Sequence, residues 1–87
     1  MIPTLQTQRL RLRAFRDSDL DAYAAMSADE EVMRYIGTGA TLKPPEAWRQ
    51  MAVFLGHWAL RGYGMWALES KATGALVGRV GFLDPPG

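Results

Sequence analysis

The stretch Gly64–Leu83, GMWALESKATGALVGRVGFL, decides the fold. It holds two short apolar runs, Met65–Leu68 and Leu76–Leu83, around a polar link, Glu69-Ser70-Lys71-Ala72-Thr73-Gly74. A Gly-containing polar link between two such runs predicts an antiparallel β-hairpin. Apolar side chains fall on both faces of it: Met65 beside Trp66, Leu76 beside Val77, Phe82 beside Leu83. A hairpin with one face in water alternates more cleanly, so this one is expected to be covered on both sides.

Upstream, Arg9-Leu10-Arg11-Leu12-Arg13-Ala14 alternates strictly, which is the period of a half-buried strand. The reading places Leu10, Leu12 and Ala14 inward and the three arginines on a solvated outer face that keeps an edge strand soluble. Without interleaved aromatics, the row argues against a nucleic-acid contact. Ser18 is expected to cap a helix, with Asp19 and Asp21 placing negative charge at its positive end. Leu20, Tyr23 and Ala24 then recur at helical spacing. Asp29-Glu30-Glu31 opens a second, short helix that Gly37 is placed to end. The loop Gly37-Thr38-Gly39-Ala40-Thr41 follows a helix and lacks the completion of a phosphate loop.

Lys43-Pro44-Pro45-Glu46 starts the longest helix, expected to reach about Leu60, since proline is tolerated where its missing N–H has no partner anyway. Trp48, Met51, Ala52, Leu55 and Ala59 form its expected apolar stripe, widened by Ala47, Phe54 and Trp58. His57 is expected on the wet side. Gly62 and Gly64 end the helix. The order is strand, helix, short helix, long helix, strand, strand.

At 87 residues this is one domain at most. Ten Lys and Arg against nine Asp and Glu leave too little net charge for an electrostatically driven nucleic-acid binder. With no cysteine and a single histidine, neither a disulfide nor a protein-built zinc site is expected. No run approaches the roughly 18 apolar residues of a membrane span and the first residues lack the plan of a signal peptide, so the expectation is a cytoplasmic protein.

These blocks together resemble a known family. The opening TQRLRLRAFRDSDLDAYAAMSADEEVMRYIG is similar to the N-terminal segment of GNAT acetyltransferases of the RimJ/RimL type. Thr7, Arg9, Leu10, Leu12, Arg13, Arg16, Asp19 and Leu20 sit on that pattern, and Gln8 stands where glutamate is usual. Glu46-Ala47 with the long helix, then Gly64–Leu68 and Gly74–Phe82, look like the family's second helix and its second and third strands. The resemblance implies an α+β class and a partial GNAT fold, a mostly antiparallel sheet of about three strands with two to three helices. It implies acetyl transfer from acetyl-CoA to an amine, either a small amine or a protein N-terminus.

Family members continue into a fourth strand and a glycine-rich loop at a helix start, whose N–H groups hold the pyrophosphate of acetyl-CoA. None of the glycines here lies in such a loop. Residues 1–87 are therefore expected to form a single N-terminal, acceptor-side subdomain whose partner is a missing C-terminal half. The alternative is a non-catalytic, self-associating module, a homo-oligomer paired through the edge of the last strand. By matching position, Tyr35, Gly37, Thr38, Trp58, Trp66 and Phe82 are the implied walls of the acceptor pocket. No catalytic residue and no metal ligand is assigned. Glu69, flanking the turn, is read as a solvated carboxylate.

Overall fold

The computed structural model describes residues 2–33 and 41–83. In it four antiparallel strands lie in chain order: β1 (Leu5–Gln6), β2 (Leu10–Arg13), β3 (Met65–Ser70) and β4 (Leu76–Gly81). Between β2 and β3 the chain makes a 3-10 turn (Asp17–Asp19) and three helices, α1 (Leu20–Ser27), α2 (Glu30–Met33) and α3 (Pro44–Arg61). The hairpin is present as read, with Met65 opposite Gly81 and Trp66 opposite Val80. A register shift at Leu68/Glu69 brings Glu69 opposite Leu76.

One face of the sheet is covered by helices. Met65 and Ala67 of β3 pack with Phe15, Tyr23 of α1, and Ala47, Met51 and Phe54 of α3. The rings of Phe15, Tyr23 and Phe54 meet at centroid distances of 5.2, 5.3 and 6.2 Å, two of the three contacts edge-on, as their quadrupoles favour. On the opposite face Leu12, Leu68 and Trp66 are half-buried and Val80 is exposed. Dense cover is thus given to one side of the hairpin.

Several expectations are corrected. A fourth strand, β1, pairs with β2, so β2 is an interior strand and not an edge. Its arginines consequently do not form a solvated row: Arg13 is buried and Arg11 half-buried. Ser18 is no cap. It lies inside the 3-10 turn, and Asp19 precedes α1 instead. The apolar stripe of α3 is turned by about 100° from the expected one. Ala47, Met51, Phe54, His57 and Trp58 are buried, whereas Trp48 is 53 % exposed and Ala52, Leu55 and Ala59 are also exposed. Apolar side chains occupy two adjoining stripes of this helix, and only the position of the sheet selects between them.

His57 is buried as well, contrary to its expected wet position. Its Nδ1 lies 2.8 Å from the Tyr63 carbonyl oxygen and its ring meets Tyr63 edge-on. The chain reverses just after the helix at Gly62, whose φ of 80° is the left-handed conformation that glycine adopts without a Cβ clash. That reversal folds Tyr63 back over His57, a contact no helical periodicity reveals. At the other end of α3, Glu46 accepts from the Lys43 N–H at 2.9 Å and Pro44 and Pro45 occupy the first turn.

Candidate functional site

Two polar clusters stand on the helix-covered side of the sheet. The first ties β2 to β3. Arg13 donates from Nη1 and Nη2 to the two Asp19 carboxylate oxygens, both at 2.8 Å, and from Nε to Glu69 Oε1 at 2.8 Å. Arg11 donates to the other Glu69 oxygen, and Arg16 Nη2 lies 3.5 Å from Oε1. Asp19 also accepts the Arg16 N–H at 2.9 Å, which fixes the 3-10 turn. Register explains the assembly: Arg11 is opposite Glu69, and Arg13 is next along the same face.

The charges respond accordingly. Hydrogen bonding to Asp19 raises the Arg13 guanidinium above its ordinary value; burial opposes this and Glu69 adds to it. Burial pushes the Asp19 carboxyl up, but Arg13 and the Arg16 N–H outweigh it and hold it below the usual carboxylate range. Hydrogen bonds from Arg13 bring Glu69 down, against a smaller push from burial, with Arg11 assisting. Glu69 is therefore not the solvated turn carboxylate expected. It is 6 % exposed, and arginine side chains do most of the shielding. Acid/base chemistry at neutral pH needs a carboxylate raised toward 7. Asp19 and Glu69 move the other way, which makes this cluster a structural clamp.

The second cluster lies where α1, α3 and β4 meet. Tyr23 is buried and donates its hydroxyl proton to Gln50 Oε1. Burial raises the Tyr23 phenol, while the nearby Arg79 charge and Ser27 hydroxyl act against that rise. Arg79 lies over the Phe54 ring at 5.1 Å from its centroid. Neither Arg79 nor Ser27 was singled out from the sequence. The available signal was a cation at a core-facing position of the hairpin, since Arg79 pairs with buried Ala67.

Of the six implied pocket residues, Tyr35, Gly37 and Thr38 lie outside the described residues. The structure brings Trp58 and Trp66 together, edge to face at 5.0 Å. Trp58 gives its indole N–H to the Met65 carbonyl at 2.9 Å, and Trp66 gives its own to the Pro3 carbonyl at 2.9 Å. Phe82, just beyond β4, is 79 % exposed, and its N–H reaches the Gly64 carbonyl at 3.4 Å.

A coenzyme pyrophosphate needs a row of free backbone N–H groups, and the described helices do not offer one. Pro44 and Pro45 remove donors from the first turn of α3, and Asp17 and Asp19 put negative charge at the start of α1. The described glycines lie within α3, at its end, in the hairpin turn and along β3 and β4, none at a helix start. The residues described therefore do not fit acetyl-CoA. Among them no group of three His, Cys, Asp or Glu could hold a metal ion, and no helix is long and apolar enough to cross a membrane.

The family model of the acetyltransferase (GNAT) domain matches residues 9–87. The chain belongs to the GNAT acetyltransferase family. As a GNAT chain it is 32 % identical over 82 residues to YoaA, an uncharacterized N-acetyltransferase of Bacillus subtilis (strain 168), with 94 % of this chain and 46 % of YoaA covered. Its fold is similar to that of an acetyltransferase from Agrobacterium tumefaciens str. C58, with a TM-score of 0.81 at 31 % identity over 99 % of this chain and 48 % of that one. A protein assigned to the GnaT family from Bordetella pertussis gives a TM-score of 0.74 at 25 % identity, covering 93 % and 46 %. The chain thus spans about half the length of the relatives it matches.

Proposed function

We propose that residues 1–87 are the acceptor-side, N-terminal subdomain of a GNAT N-acetyltransferase of the RimJ/RimL type, a cytoplasmic enzyme that moves an acetyl group from acetyl-CoA to an amine. One comparison carries this reading: nearly the whole chain superposes on less than half of an acetyltransferase. The lack of a free N–H cradle at the described helix starts agrees with it, because the grip on the coenzyme then belongs to the other half. In this reading Trp58, Trp66 and Phe82, with Tyr35, Gly37 and Thr38, wall the acceptor pocket. Aromatic walls suit the apolar part of an amine acceptor, and fold alone does not choose between a small amine and a protein N-terminus.

The test is calorimetric. Acetyl-CoA is titrated into the 87-residue chain alone and into the chain co-expressed with the C-terminal half of the Agrobacterium relative. No heat of binding is expected from the chain alone, and micromolar binding with amine-dependent release of the coenzyme thiol is expected from the pair. Tight binding by the chain alone refutes the reading.

A second reading is favoured by the position of β4. It forms one edge of the sheet and leaves Val77, Val80 and Phe82 exposed. Such an edge is a template for a further strand. In this reading two copies pair β4 to β4 about a two-fold as a non-catalytic homo-oligomer. Sedimentation velocity distinguishes the two, since a monomer at high concentration excludes it.

A further inference from the structure

Beside its buried face α3 carries a second apolar stripe, Trp48, Ala52, Leu55 and Ala59, and all four residues are exposed. Steps of four, three and four residues keep them within about 60° of one another around the helix. The 3-10 turn comes up against the same stripe: Arg16 and Asp17, with Trp48, Met51, Ala52 and Leu55, line a groove of about 150 Å³. An apolar line of this kind on a helix marks an interaction surface. The order of side-chain sizes along it selects the occupant. Large and small alternate, and the four-three-four spacing is the same in either direction. A copy of the helix laid antiparallel therefore sets Trp48 against Ala59 and Leu55 against Ala52, large against small at every contact. A parallel copy would set Trp48 on Trp48 and Leu55 on Leu55.

The charges obey the same two-fold. Its axis crosses α3 between residues 53 and 54, about 3 Å along the helix from the middle of the groove. Arg16 and Asp17 of both copies then lie on one side of the contact and close to the axis, where the cation of each can meet the anion of the other. The Arg16 side chain is 59 % exposed even with Glu69 3.5 Å away, so it can reach a second carboxylate. We propose that α3 binds a second copy of this chain, antiparallel, through Trp48, Ala52, Leu55 and Ala59. This dimer is distinct from one paired through β4 and is independent of what the chain catalyses. Two such stripes bury less than the about 1,600 Å² of a standard interface, so the expected dissociation constant is about 10–100 μM.

Sedimentation equilibrium of the 87-residue chain between about 10 and 500 μM reads the mass. A monomer–dimer equilibrium is expected. Leu55→Lys should weaken it at least about ten-fold, because the two-fold places an unpaired cation at both Ala52 contacts. Val80→Lys, on β4, should leave it unchanged. The chain has no cysteine, so single introduced cysteines report the register. Along the helix the two Ala52 positions lie about 4–5 Å apart and the two Ala59 positions about 16 Å apart. Ala52→Cys should therefore oxidise to a disulfide-linked dimer and Ala59→Cys should not. All four substituted positions are exposed, and native circular dichroism is expected of each variant. A monomer throughout the range, a dimer lost in Val80→Lys but kept in Leu55→Lys, or equal cross-linking of the two cysteine variants overturns the proposal. So does a Leu55→Lys chain of unchanged mass that no longer assembles with a C-terminal half, since the face then belongs to that half.

Discussion

Replacing Arg13 by methionine tests the clamp between β2, the 3-10 turn and β3. Arg13 is 8 % and Asp19 5 % exposed, and the two share a bidentate pair. Removing one partner from a buried pair typically costs about 3–5 kcal/mol, because the other charge is left unpaired out of water. Here Asp19 keeps the Arg16 N–H, and the pair sits at the rim of a small fold, so the lower end of the range or slightly less applies, about 2–3 kcal/mol. For a domain of this size that corresponds to a fall in Tm of about 10–20 °C. Asp19→Leu alone should cost about the same, since Arg13 then keeps only Glu69 as a charged partner and the Ala14 carbonyl as a neutral one. The double variant, with both charges gone, should be less destabilised than the sum of the singles by about 1.5–2 kcal/mol. Urea unfolding followed by tryptophan fluorescence measures all four corners of the cycle. Additivity within about 0.5 kcal/mol would refute the argument that this pair is energetically coupled.

Acid should act through the same groups. Asp19 and Glu69 are lowered in the folded state, so their stabilisation is complete above the ordinary carboxylate values of about 4 and is lost as pH falls through the lowered ones. Urea midpoints measured downward from pH 6 should fall below about pH 4 in the native chain and fall less steeply in the Arg13→Met/Asp19→Leu variant. Gly81→Ala should destabilise by at least about 2 kcal/mol, because φ is 144° and the new Cβ would lie 2.1 Å from the Gly64 carbonyl oxygen. Gly78→Ala, whose Cβ would meet only Leu68 Cδ1 at 3.6 Å, is the near-neutral control, and equal midpoints for the two would contradict the geometry. If β4 pairs with its copy, Val80→Lys should shift sedimentation toward monomer without changing the circular dichroism.

Local pattern in the sequence determined the hairpin, the long helix between Pro44 and Arg61, its glycine stop and the family blocks, because turns, caps and breaker residues act within a few positions of themselves. Tertiary structure decided the partners. The arginines of β2 read as a solvated row until Asp19 and Glu69, 6 and 56 residues away from Arg13, were brought to them. Likewise α3 carries two neighbouring apolar stripes, and the sheet buried Phe54 and Trp58 while leaving Trp48 in solvent. His57 looked like a surface residue by periodicity, yet Tyr63 covers it, and the cation of Arg79 is held over the Phe54 ring. A charged or aromatic side chain has the same character wherever it stands, but whether it meets water, a ring or an opposite charge is fixed by strand register and helix rotation, and those depend on contacts between distant parts of the chain.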